Sequence, residues 1–166
     1  MKIAIVSGYF NPIHVGHIDY IQGAKLLGHK LWVIVNNDLQ VGIKGSVPFM
    51  NEQDRIKIVG AIEGVDGVIL SIDTDGTVLK TLKTLVKENQ ATGRNSFVFC
   101  NGGDRADVNS PEEEYCKNNS YYLTSAYNVG GGKVQSSSTL IKEASIRDRQ
   151  SNDELKMFSQ KLKALP

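Results

Sequence analysis

Residues 2–17 read KIAIVSGYFNPIHVGH, and this stretch decides the fold. KIAIV is a short apolar run rich in β-branched residues, which reads as a buried strand. Ser7 to Pro12 is turn-like, built around Gly8, Asn11 and Pro12. From His14 onward Val15, Ile18, Ile21, Ala24 and Leu27 recur at helical spacing, and Gly28 stops the run. A strand, a tight turn and a helix thus open the chain.

The same rhythm continues outward. LWVIVN at 31–36 predicts a second strand, and 38–50, which holds Gly42, Gly45 and Pro48, predicts a loop. Asn51 caps a helix expected to reach Glu63, with Ile56, Val59 and Ile62 on one face. A third strand is expected at 67–72. Thr77 opens a helix to Glu88 that turns Val78, Leu82, Leu85 and Val86 inward. FVFC at 97–100 is a fourth strand, Pro111 starts a short helix through Lys117, and 121–124 is a fifth strand. Helices are expected at 137–144 and 152–164, separated by a polar spacer at 145–151. Ser151 and Glu154 have capping-box spacing. Leu155, Phe158, Leu162 and Leu165 form an apolar stripe that packs on the parent domain or makes a homodimer.

Strands alternating with helices imply a parallel sheet covered on both faces. The expectation is one α/β domain at 1–145, a doubly wound parallel sheet of about five strands, with a C-terminal helical extension at 146–166. A chain of 166 residues suits one core. The net charge of +1 argues against a bulk nucleic-acid binder, so any basic site is local. Cys100 and Cys116 lie far apart in no metal spacing and read as reduced thiols. The N-terminus reads as a strand rather than a signal peptide, and no segment reaches the length of a membrane span. A cytoplasmic protein with no membrane or nucleic-acid partner is therefore expected, and the Asn118–Ser120 sequon reads as chance.

In such sheets ligands bind beyond the carboxyl ends of the strands, and the unusual residues cluster there. His14 and His17 are three apart, so both face one ligand from a helix start, where partial positive charge and unpaired N–H groups attract phosphate. Gly16 between them leaves room for close approach. The bland alternative, two ordinary histidines on a surface helix, is weakened by the strand and the Gly-Asn-Pro turn that precede them. Lys44, flanked by Gly42 and Gly45, is a mobile point charge suited to phosphate; a solvated loop lysine is its alternative. Gly103, Asp104 and Arg105 follow the fourth strand, where Asp104 suits a ribose hydroxyl or a base amine; the alternative is a plain turn. Ser136, Ser137 and Ser138 open an apolar helix and form a second anion site, or simply cap it.

GYFNPIHVGH resembles the H-x-G-H signature of the nucleotidyltransferase superfamily that includes the cytidylyltransferases. The resemblance covers roughly residues 1–145 and extends to IKGSVPFMNEQDRIKIVGAIEGVDGV, NGGDR and SSSTLIKEA. It is strongest toward the glycerol-3-phosphate cytidylyltransferase and heptose 1-phosphate adenylyltransferase branches. It implies a Rossmann-like fold and in-line transfer of a nucleotidyl group from ATP or CTP to a sugar or polyol phosphate, with release of pyrophosphate. Relatives acting on nicotinamide mononucleotide or phosphopantetheine, and a regulator without turnover, are the alternatives. The resemblance assigns His14, His17 and Lys44 to catalysis, and Gly8, Tyr9, Phe10, Asn11 and Gly16 to the nucleotide. Arg55 and Lys142 fall to the acceptor or phosphates. Asn11 stands where the nearest branches carry aspartate. Magnesium is expected to arrive with the triphosphate. The glycine run 130–132 has no arginine to read a cytosine carbonyl, which favours ATP slightly.

Overall fold

KIAIV lies at the centre of the sheet because every one of its apolar side chains finds cover. The computed structural model describes residues 1–90, 93–102, 109–132 and 136–163. Its five strands are β1 (Lys2–Gly8), β2 (Lys30–Val35), β3 (Gly67–Leu70), β4 (Ser96–Gly102) and β5 (Leu123–Val129). All pair in parallel, in the order β3-β2-β1-β4-β5. Strand side chains alternate faces, so β1 feeds two cores. Ala4 and Val6 join Leu31, Val33 and Val35 beneath α1 (Val15–Lys25) and α3 (Glu52–Gly60). Ile3 and Ile5 join Ile34, Phe97 and Phe99 beneath α4 (Leu79–Gln90) and α5 (Pro111–Asn118). Each such Val, Leu, Ile or Phe side chain removed from water contributes roughly 1.5–3 kcal/mol. The winding reverses between β1 and β4, and the crevice at their carboxyl ends holds the site.

Two expectations are corrected. Residues 38–43 are not loop but a helix, α2 (Asp38–Ile43). Asn37 caps it through Gln40 N–H, while Gln40 Oε1 accepts from Asn37 N–H at 3.1 Å. The Asn-x-x-Gln spacing is a capping box, the sequence signal that marks this helix. The final helices are likewise one, α6 (Ser137–Lys163), so 145–151 is no spacer and Ser151 caps nothing. No Gly or Pro interrupts this run, and polarity alone does not end a helix whose face is solvated. Leu155 and Phe158 are 65% and 63% exposed, so this part of the stripe does not pack on the domain. Among the described residues no helix is long and apolar enough to cross a membrane.

Gln40 is fully buried and ties α2 to the next segment of chain. Its Nε2 donates to the carbonyls of Asp75 (2.8 Å) and Thr77, and its Oε1 also accepts from Asn36 Nδ2 at 3.0 Å. Gln40→Ala leaves those buried groups unpaired, so it should cost about 2–4 kcal/mol in urea unfolding.

Candidate active site

After β1 the chain turns sharply. Phe10 takes φ of 49°, a left-handed conformation costly for a bulky residue. Burial sustains it: the ring is 1% exposed and sits beneath His17 at 5.0 Å, edge to face. A side chain at Gly8 would meet that ring at 2.9 Å, so only glycine fits there. Phe10 thus supports the site from below and does not line the cleft.

His14 is the N-cap of α1, and its backbone N–H donates to His17 Nδ1 at 3.2 Å. The bond fixes the tautomer. With Nδ1 accepting, the proton of neutral His17 resides on Nε2, the nitrogen left for a ligand. The two imidazoles stack with centroids 3.8 Å apart. Burial, then His14, then Lys44 push the His17 pKa down to about 4, and burial lowers that of His14. His17 is therefore a neutral donor at pH 7. His14 Nδ1 is buried and has no partner among the described residues. A phosphate oxygen would offset that desolvation.

The cleft around these histidines has a volume of about 520 Å3. Lys44, the C-cap residue of α2, lies on one wall with its Nζ 4.3 Å from the Tyr9 ring centroid. Gly45, next to it, has φ of 78°. Ser136, Ser137 and Ser138 at the start of α6 line the cleft too. Ser136 Oγ accepts from Thr139 N–H at 3.2 Å, and Ser137 Oγ donates to Pro12 O at 2.7 Å. These bonds seat one helix start beside the other. Gly8, Tyr9, Asn11 and Gly16 also line the cleft, as do Gly130 to Gly132 at the end of β5. The glycine end is held against α1, where Gly130 packs on the backbone of Tyr20 and Tyr20 Oη donates to Cys100 O.

Asn11 uses both ends of its amide. Nδ2 donates to Val47 O at 2.9 Å, and Oδ1 accepts from Phe49 N–H. An aspartate could accept but could not donate. The departure from aspartate at this position therefore matches a bond that pins the segment following Lys44.

Arg55 is placed differently from the expectation. It is 1% exposed and lines no part of the cleft. Its Nη1 donates to Tyr9 O (2.7 Å) and Asn36 O (2.6 Å), its Nε to Met50 O (3.1 Å), and its Nη2 pairs with Asp38. A helix arginine gives no sequence sign of such burial. Lys142 is exposed on α6 and is not among the cleft residues. Gly103, Asp104 and Arg105 lie outside the described residues. Sequence reasoning passed over Asp19, Tyr20, Asn36 and Ser46, all of which line the cleft. Asn36 directly follows β2, within the 36–48 stretch that the carboxyl-end rule picks out without singling it out.

A parallel sheet whose switch point carries two histidines on one helix start, faced by a lysine and a second helix start, defines a phosphate-handling enzyme of the nucleotidyl-transfer class. The chain belongs to the cytidylyltransferase-like family, whose model matches residues 5–144. It is a nucleotidyltransferase. It is 30% identical over 143 residues to the FAD synthase of Thermoplasma acidophilum, covering 86% of this chain and 94% of that one. It is 39% identical over 71 residues to the bifunctional protein HldE of Methylobacillus flagellatus, covering 42% of this chain but 14% of that one. The crystal structure of the lipopolysaccharide core biosynthesis protein from Thermoplasma volcanium GSS1 shares the fold, with a TM-score of 0.59 and 24% identity, and covers 80% of this chain and 99% of that one.

Two outcomes follow. Arg55→Lys keeps a charge but cannot reach four oxygens, so it should cost about 3–5 kcal/mol in chemical denaturation by leaving Asp38 and buried carbonyls unpaired. The His17 pKa lies below its ordinary 6.5, so between pH 6.5 and about 4 the unfolded chain binds more protons. Stability is full above pH 6.5 and falls as pH drops through that window. Urea titrations at pH 7 and pH 5 should show a smaller loss for His17→Gln than for the parent chain.

Proposed function

We propose that this chain transfers a nucleotidyl group from ATP, with CTP the second choice, to a sugar or polyol phosphate. The observation that carries the reading is the stacked His14–His17 pair at a helix start, facing Lys44 and the serine start of α6 across one cleft. Both helix starts offer N–H groups and partial positive charge to a triphosphate. An oxygen of the acceptor phosphate attacks the α-phosphorus. The new P–O bond forms as the bond to the β-phosphate bridge breaks, and pyrophosphate leaves with the electron pair. His17 donates through Nε2–H to phosphate oxygens as charge shifts, with His14 beside it, and Lys44 adds a point charge. Gly130 to Gly132, two of them at positive φ, bring backbone close enough to read a purine. Arg55 acts by holding the site together rather than by touching substrate. Magnesium would enter with the triphosphate and neutralise phosphate charge. Asp19 is the sole carboxylate among the described residues lining the cleft, which suits an ion ligated mainly by phosphate and water.

The similarity to an FAD synthase across nearly its whole length supports a second reading, in which the acceptor is FMN. Pyrophosphate release, measured with each of four triphosphates against sugar phosphates, polyol phosphates and FMN, separates the two. Removing one preorganised donor costs about 100- to 1,000-fold in rate. His17→Ala should lose kcat by that factor with its fold intact, and excess EDTA should abolish turnover. Near-parental kcat in His17→Ala would sink the assignment.

A further inference from the structure

A second, smaller cavity of about 200 Å3 opens beside the cleft. The two compartments share Ser7, Tyr9, Asn36 and Asn101. The two adjoin at this shared wall, and the histidines line the larger compartment only. The floor of the cavity is made where the segment leading into α4 meets the start of α5, at Thr77, Ser110 and Glu112. Glu112 is 8% exposed, and its Oε1 accepts from Val78 N–H at 2.7 Å. It stands in the first turn of α5 and bonds the backbone just ahead of α4. Its charge is thus compensated by helix N-termini on both sides. A buried carboxylate so compensated has no need of a cationic ligand, and its remaining lone pairs suit hydroxyl donors. Asn36, Asn101, Thr77 and Ser110 line the cavity with uncharged polar groups. The Asn36 amide and Thr77 hydroxyl already donate to Gln40 and Asp75, which leaves Glu112 as the acceptor for a ligand hydroxyl. No lysine or arginine stands among the described residues lining this cavity. The volume falls below the roughly 300 Å3 at which pockets for drug-sized ligands begin.

We infer that the side cavity takes the neutral, hydroxyl-bearing end of the acceptor, and that Glu112 selects it by accepting a hydrogen bond from a hydroxyl. This rests on the nucleotidyl-transfer reading and narrows it. The acceptor's phosphate remains at the shared wall, its polyol or sugar portion enters the side cavity, and a flat tricyclic flavin is too large. A site that hydrogen-bonds a hydroxyl rejects analogues lacking it far more strongly than an apolar pocket rejects a missing methylene.

The test uses the full chain with ATP and CTP, and glycerol 3-phosphate, glucose 1-phosphate, n-propyl phosphate, phosphoethanolamine and FMN as acceptor probes. The parent chain should prefer one of the two hydroxylated phosphates over n-propyl phosphate by at least about 100-fold in kcat/KM. Glu112→Gln keeps an oxygen for Val78 N–H and should cut that preference below about tenfold, with an unchanged triphosphate Kd by calorimetry. Circular dichroism checks the fold of the variant, and the parent's own discrimination among probes decides the question without it. Undiminished preference in folded Glu112→Gln, or a parent that favours n-propyl phosphate, phosphoethanolamine or FMN, overturns the inference and leaves nucleotidyl transfer standing. Failure to release pyrophosphate with every probe overturns both.

Discussion

The Arg55 guanidinium is the interaction on which the site depends. Three of its hydrogen bonds end on main-chain carbonyls that belong to different stretches of chain: Tyr9 after β1, Asn36 after β2 and Met50 before α3. A fourth ends on Asp38 at the start of α2. Loops at the top of a parallel sheet leave carbonyls pointing nowhere, and buried carbonyls without partners are costly. One planar cation with five donors answers several at once. The segments that carry Tyr9, Asn36 and Lys44 are thereby held in fixed relation, although the arginine itself meets no solvent. Substituting lysine there would change the architecture before it changed the chemistry.

Around this knot the electrostatics are arranged for an anion although the whole chain carries only +1. The local field comes from Lys44 and from two helix starts, brought together by the bond between Ser137 and Pro12. His17 contributes no standing charge, since burial, then His14, then Lys44 hold its pKa down to about 4. A neutral imidazole with a fixed tautomer, as at His17, can stabilise charge as it develops without binding the ground state too tightly. The cavity beside Glu112 has the opposite character, with no lysine or arginine among its described lining residues and its one acid compensated by a backbone N–H.

Much of this was legible in the sequence, and the failures have physical causes. Alternation of strand and helix periods gave the α/β class and the first four strands, which carry short apolar runs. β5 was expected at 121–124 but runs Leu123–Val129, because its LTSAYNV at the sheet edge is no unbroken apolar run. The H-x-G-H stretch gave the cleft, since a strand, a tight turn and a helix start leave few other geometries. α2 was missed because its six residues are too few to show a helical period, while its capping box lay in plain view. The long α6 was divided because a polar stretch resembles a linker when no neighbour reveals that it is a solvated helix face. Arg55 was assigned to the acceptor or phosphates by resemblance, and nothing local in a sequence reports that carbonyls from several segments converge on one position. Glu112 was invisible for the same reason, since its partner Val78 lies in a distant segment.

The bond from Ser137 to Pro12 joins positions 125 residues apart. The parallel sheet is complete at Val129, before α6 begins. A nascent chain that has emerged only this far has its strands but not the second wall of the phosphate cleft. Closing so long a loop comes late, because contacts between distant segments form after local ones. The second wall of the cleft is therefore acquired at the end of folding, and a ligand that touched both helix starts would act as a clasp between the first helix and the last.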